Sequence, residues 1–296
     1  MIIGVDLGYG YTKTSEGIVF PSRISTQETI LEEGNMLILD NKAYTVGEGN
    51  VEVDLNRINK ELTRVCLIEA LAKSSNQNDF QVVAGLPLGL FSSQKNLMKQ
   101  MLLSNRYVEF ESNKQKRAIA ITKAEVFPQC LGAHYSLPAA DDTEDRIYID
   151  IGGRTVIIAL LQVVNGKRKV TQHSTIYEGT LTLFSKIVAA INSKYETLFE
   201  IEDGERILKN GLSIYGEKRD IGFIRNIIEE HTDKIMKELL LKYPVKTAKV
   251  TLAGGGAYVL KQLFDKRIPG TTIIPNAQFA NANGFKRIGV SLWQRY

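Results

Sequence analysis

The chain has 296 residues, 44% of them hydrophobic and 24% charged, with a formal net charge of +4. It is too apolar for disorder and long enough for about two domains with cores of their own. Two cysteines exclude a disulfide framework or cysteine-rich zinc site, no apolar run is long enough to span a bilayer, and the dispersed Lys and Arg argue against direct nucleic-acid binding.

Met1 enters an apolar strand pattern directly, without the basic and apolar segments of a targeting signal, so the expected compartment is the cytoplasm, with no membrane attachment. The strand reaches Asp6, and Gly8, Tyr9, Gly10, Thr12 and Lys13 follow. A carboxylate at a strand end beside a glycine turn suits phosphate and metal, because amides without a neighbouring Cβ approach oxyanions closely. Residues 17–24 read as a further strand, so the motif lies on a hairpin. Phosphate loops of the Walker A and dinucleotide-binding types both need a helix after the glycines, and neither fits.

Residues 35–48 read as a hairpin bent at Asp40-Asn41, and 59–72 as an amphipathic helix. A buried strand from Gln81 ends in Gly85-Leu-Pro87, with a helix through Leu97 to Leu103 after it. Lys114 to Arg117 reads as a solvated turn between two strands. Glu125 is expected at a strand-to-helix junction, with Pro128 in the first turn of that helix. The alternation of strands and helices indicates an α/β fold. The acidic stretch 141–145 reads as a solvated linker between two halves.

The opening phrase then returns. Tyr148-Ile-Asp150-Ile-Gly152-Gly153-Arg154-Thr155 is strand, aspartate and glycine turn again, roughly 145 residues after the first copy. Two copies at half-chain spacing suggest two related halves facing one nucleotide. Asn165-Gly166 marks a second hairpin, a helix is expected from about Thr180 to Lys194, and a helix pair over 204–210 and 220–241. Lys249 to Ala253 reads as a buried strand that breaks into Gly254-Gly255-Gly256 before a helix near Tyr258. A last helix over 275–289 is expected to return to the first half. His134, His173 and His231 lack metal-ligand spacing and read as structural or exposed.

These three motifs in this order resemble the actin, Hsp70 and hexokinase superfamily over essentially the whole chain. Within it, the chain looks most like bacterial actin-like ATPases of plasmid segregation, the ParM or StbA type. The residues carrying that closer match are 6–13, Tyr44 to Glu48, Gly85-Leu-Pro87, 150–155, 252–256 and Asn281-Ala-Asn-Gly-Phe285. The resemblance implies an actin-like (ribonuclease H-like) α/β fold, with domain I over 1–146, completed by 276–296, and domain II over 147–275. It implies phosphate contacts from Gly8, Tyr9, Gly10, Thr12, Lys13, Gly152, Gly153, Arg154 and Thr155, with a salt bridge the alternative for Arg154.

Gly254, Gly255 and Gly256 would lie against the adenosine, and Gly179 and Lys209 near ribose and base. ATP, or GTP, is the expected nucleotide. Mg²⁺ would be held by Asp6 and Asp150 through its waters, since this ion dehydrates reluctantly. Asp150 and Glu125 are the expected catalytic carboxylates, Glu125 positioning the attacking water or acting as base; its alternative is a carboxylate at a helix N-terminus favoured by the dipole. The family implies nucleotide-dependent filaments of this chain, coupled to plasmid DNA through a DNA-bound adaptor protein. The alternatives are a small-molecule kinase, a cell-shape bacterial actin or an Hsp70-like regulator.

Overall fold

The computed structural model describes residues 1–26, 36–49, 54, 58–112, 114–138 and 144–294. Asn35 and residues 141–143 of the expected linker lie outside these. The chain divides into two units, Met1–Asp142 with Ile274–Tyr296, and Thr143–Ile273.

In the first unit β1 (Ile2–Leu7), β2 (Tyr11–Thr14) and β3 (Val19–Pro21) form the opening meander, and β4 (Ile24–Ser25) follows. The next hairpin pairs β5 (Met36–Leu39) with β6 (Lys42–Val46). It bends at Asp40 and Asn41, both at positive φ as a two-residue turn requires. α1 (Glu61–Ser74), β7 (Asp79–Leu86), α2 (Leu88–Ser104), β8 (Val108–Ser112), β9 (Gln115–Pro128) and α3 (Leu131–Ser136) complete the run. Their nine-stranded sheet has the order β3-β2-β1-β7-β9-β8-β5-β6-β4.

α1 is not the one-faced helix expected, because Leu62, Thr63 and Val65 through Ala72 are all buried. It touches β1 and β2 as well as β5 and β6, strands far apart in the sheet order. A helix covered from several sides has no solvent face to mark with polar residues. β9 is the second difference. It continues through Glu125 to Pro128, and the turn falls at Gln129 and Cys130.

The second unit holds β10 (Arg146–Ile151), β11 (Val156–Val164), β12 (Lys167–Ile176), α4 (Thr180–Tyr195) and α5 (Asp203–Asn210). A small hairpin that the sequence reading missed, β13 (Leu212–Ile214) with β14 (Glu217–Arg219), separates α5 from α6 (Ile224–Lys242). β15 (Lys249–Ala253), α7 (Ala257–Arg267) and the two-residue β16 (Thr272–Ile273) follow. The sheet runs β12-β11-β10-β15-β16. Its wiring repeats that of the first: β1 is antiparallel to β2 and parallel to β7, and β10 is antiparallel to β11 and parallel to β15.

After a 3-10 turn at Ala277–Phe279, α8 (Ala280–Trp293) packs in the first unit against β1, β7 and α3. The approach is backbone to backbone. A Cβ on Gly284 would stand 1.7 Å from the Gly132 carbonyl oxygen, and one on Gly4 would stand 1.9 Å from that of Ala282. Phe285 fills the remaining space beside Gly85 and Gly132, so the Gly-Leu-Pro and Ala-Asn-Gly-Phe stretches meet in one packing. Among the described residues no helix is long and apolar enough to cross a membrane.

Candidate functional site

Asp6 and Asp150 occupy equivalent places. Each is buried near the end of its unit's first strand, and each precedes a tight hairpin. Gly8 donates its amide to the Tyr11 carbonyl at 3.1 Å, and Gly152 donates to that of Thr155 at 2.9 Å. The loops are therefore Tyr9-Gly10 and Gly153-Arg154. This register matches Thr155 with Tyr11, not with Thr12. The Thr12 hydroxyl is buried and shares a 2.9 Å hydrogen bond with that of Ser22, so its place is inside the hairpin.

The two aspartates have different strand neighbours. Lys13 pairs with Asp6 across the strands, its Nζ 3.8 Å from Oδ2. Gln129 Nε2 donates to Asp6 Oδ1 at 2.9 Å. An ionised carboxylate only accepts, so the amide nitrogen must face it, which leaves Gln129 Oε1 as an acceptor. Opposite Asp150 stands Ile157. Its other strand neighbour is Ala253, and a Cβ on Gly254 would meet Asp150 Oδ1 at 2.5 Å. Gly254 has φ +80°, which glycine adopts freely.

Three motifs converge in the second unit. The amides of Gly179, Thr180 and Leu181 donate to the carbonyls of Arg154, Gly152 and Gly153 at 3.0, 3.0 and 2.8 Å. The opening of α4 thus braces the loop, and a Cβ on Gly179 would collide with Gly153 oxygen at 2.3 Å. Gly256 donates to Ile151 at 3.0 Å and lies against Thr180. Lys209 lies on the exposed side of α5, paired with Glu205 at 2.7 Å.

Glu125 sits inside β9, away from any helix N-terminus, because the strand runs three residues past it. Its carboxylate accepts from Lys99 Nζ at 2.8 Å and from the Val126 amide at 3.1 Å, with Lys95 at 3.8 Å. Burial pushes its pKa up, but these hydrogen bonds and lysine charges outweigh burial and hold it below the ordinary glutamate value. The residue at the junction is Gln129, whose amide donates to Leu86 at 2.8 Å as the last rung of β7 and β9. A polar residue just after Pro128, in the apolar stretch 126–133, was the available signal.

The donor set suits a nucleotide phosphate and a hydrated cation. Gly10 is buried, and its amide has no acceptor among the described residues, as an oxyanion contact needs. Among the described residues no group of three or more Asp, Glu, His or Cys is placed to hold a metal ion directly.

Residues 4–132 match the model for the N-terminal domain of actin-like proteins, and residues 148–266 match that for the C-terminal domain of archaeal actin homologues of MreB-like type. The chain belongs to the actin-like proteins. It is 23% identical to the archaeal actin homolog of Thermoplasma volcanium, over 97% of this chain and 98% of that one. Its fold matches Ta0583, an archaeal actin homolog solved in complex with ADP, with TM-score 0.85, 22% identity and coverage of 98% and 99%. It also matches the 15-stranded ParM filament from Clostridium botulinum, with TM-score 0.83, 21% identity and the same coverage. This actin-like protein therefore has the α/β fold its motifs implied.

Proposed function

We propose that this actin-like protein binds ATP with Mg²⁺, hydrolyses it, and assembles into filaments whose lifetime hydrolysis limits. The observation carrying this reading is one device present in each unit: a buried strand-end aspartate followed by a two-residue hairpin loop with glycine. In our reading the loop amides, with Gly10 foremost, bind phosphate oxygens. Lys13 balances Asp6 and adds a positive charge near them. Asp150 and Asp6 are the outer ligands for hydrated Mg²⁺ in this reading. Bound there, Mg²⁺ would spread the charge developing on the β- and γ-phosphates. We assign Gly254 to Gly256 to the adenosine, while Gly179 braces the phosphate loop.

We assign the orientation of the attacking water to Gln129 rather than Glu125. Its amide is anchored on Asp6, and its Oε1 can accept from a water. The ParM filament among the similar structures supports self-assembly. ATP-bound and hydrolysed states must differ in affinity for neighbouring subunits if hydrolysis is to time disassembly. We extend the reading to plasmid DNA moved through a DNA-bound adaptor protein, consistent with the mild charge of +4.

Light scattering and sedimentation with Mg-ATP, Mg-ADP and no nucleotide test this. Assembly that requires Mg-ATP, with ATP turnover, is the expected result. Turnover with no assembly in any state would overturn the filament reading and favour a kinase.

A further inference from the structure

We propose that Asn281 is a positioning residue for ATP hydrolysis, holding Cys130 in an unfavourable backbone conformation so that Gln129 stays aimed at the reacting water. The inference rests on the ATPase reading above. Cys130 is fully buried and has φ +70°, ψ −44°. The left-handed residues Glu196 and Asn276 have ψ near +45°, whereas Cys130 lies near the γ-turn region that side chains rarely occupy. It sits between Gln129, the last rung on β7, and the start of α3, whose first helical bond runs from His134 to the Cys130 carbonyl at 2.9 Å.

Asn281, buried at the second position of α8, supplies the restraint. Its Oδ1 accepts from the Cys130 and Ala133 amides, each at 3.1 Å. Without it both buried amides lose an acceptor, and a restraint against the return of Cys130 to negative φ is removed. That rotation turns the Gln129–Cys130 peptide and moves the Gln129 side chain relative to Asp6. α8 cannot slide to compensate, because Gly284 lies against the Gly132 carbonyl. The three residues form one chain of constraint, from Asn281 through Cys130 to Gln129.

The test uses the full chain with Mg-ATP, measuring kcat, the ATP KM and thermal unfolding. Asn281→Ala lowers kcat by about 10²-fold, the scale of a 1 Å misplacement, with KM changed by less than about threefold. Asn281→Asp, which keeps an acceptor for both amides, retains turnover to within severalfold. In a Cys130→Gly background, where positive φ carries little penalty, Asn281→Ala loses about tenfold or less. If Asn281→Ala fails to fold alone but folds with Cys130→Gly, the proposed strain is supported; failure in both backgrounds overturns it. A folded Asn281→Ala with full kcat, an equal loss in both backgrounds, or a loss confined to KM also overturns it. A wild-type chain that turns over no ATP removes the ATPase reading itself, a result separate from these.

Discussion

Gln129 and Asp6 lie 123 residues apart in sequence, and the 2.9 Å hydrogen bond between them ties the end of β9 to the end of β1. Glu125, four residues earlier in β9, is occupied by Lys95 and Lys99. Gln129→Ala is therefore expected to lower ATP turnover by about 10²-fold, at the low end for a residue acting on the transferred group. Glu125→Ala should stay within severalfold of wild type. Steady-state turnover of the two variants decides between them, and a large loss in Glu125→Ala alone would reverse the assignment.

The two strand-end aspartates predict a metal effect. Asp150→Asn should raise the Mg²⁺ concentration for half-maximal turnover by roughly tenfold or more, the scale of an outer-shell ligand. Asp6→Asn should raise it as well. Titrating Mg²⁺ at saturating ATP measures both; an unchanged Mg²⁺ requirement in both variants would remove the aspartates from the metal site.

Gly284→Ala places a methyl group where the Gly132 carbonyl already stands. Both partners are backbone, so neither can rotate away, and the loss should be about 3 kcal/mol, the upper part of the overpacking range. Urea unfolding measures it. A variant as stable as wild type would mean that α8 can draw back from α3.

His231, buried on α6, has Nδ1 3.3 Å from Glu178 Oε2. Burial disfavours the imidazolium, and with the charges of Lys186 and Lys234 it outweighs the Glu178 carboxylate, lowering the pKa below 6.5. The unfolded chain then protonates first as pH falls. Stability from neutral His231 is complete above the ordinary value and declines as pH drops toward the lowered folded value. Glu178 is also lowered, but its contribution fades only below the ordinary glutamate range, so the two windows separate. Urea midpoints should fall between about pH 7 and about pH 5.5 in wild type and fall less in His231→Gln. Equal slopes would exclude His231 as the source.

The repeated motif was legible because strand, aspartate and glycine turn are local signals, and local spacing carried the hairpins at Asp40-Asn41 and Asn165-Gly166 as well. α1 was misread because a helix enclosed on several sides loses the polar face that periodicity detects. Glu125 was put at a junction because Pro128 was taken as a helix opener, whereas proline also closes a strand whose next amide is the last one paired. Gln129 gains its partner only when the end of β9 meets β1, and Asn281 only when α8 meets the start of α3, and no spacing rule reports such meetings of segments far apart in sequence.

The position of α8 sets an order of events during synthesis. Everything in the second unit is translated before the helix that covers Gly4 and Gly132, a delay of roughly ten seconds at ribosomal speeds. Through that interval the first unit, though begun earlier, lacks Phe285 and the restraint on Cys130. The half of the molecule made second is the half able to finish folding first.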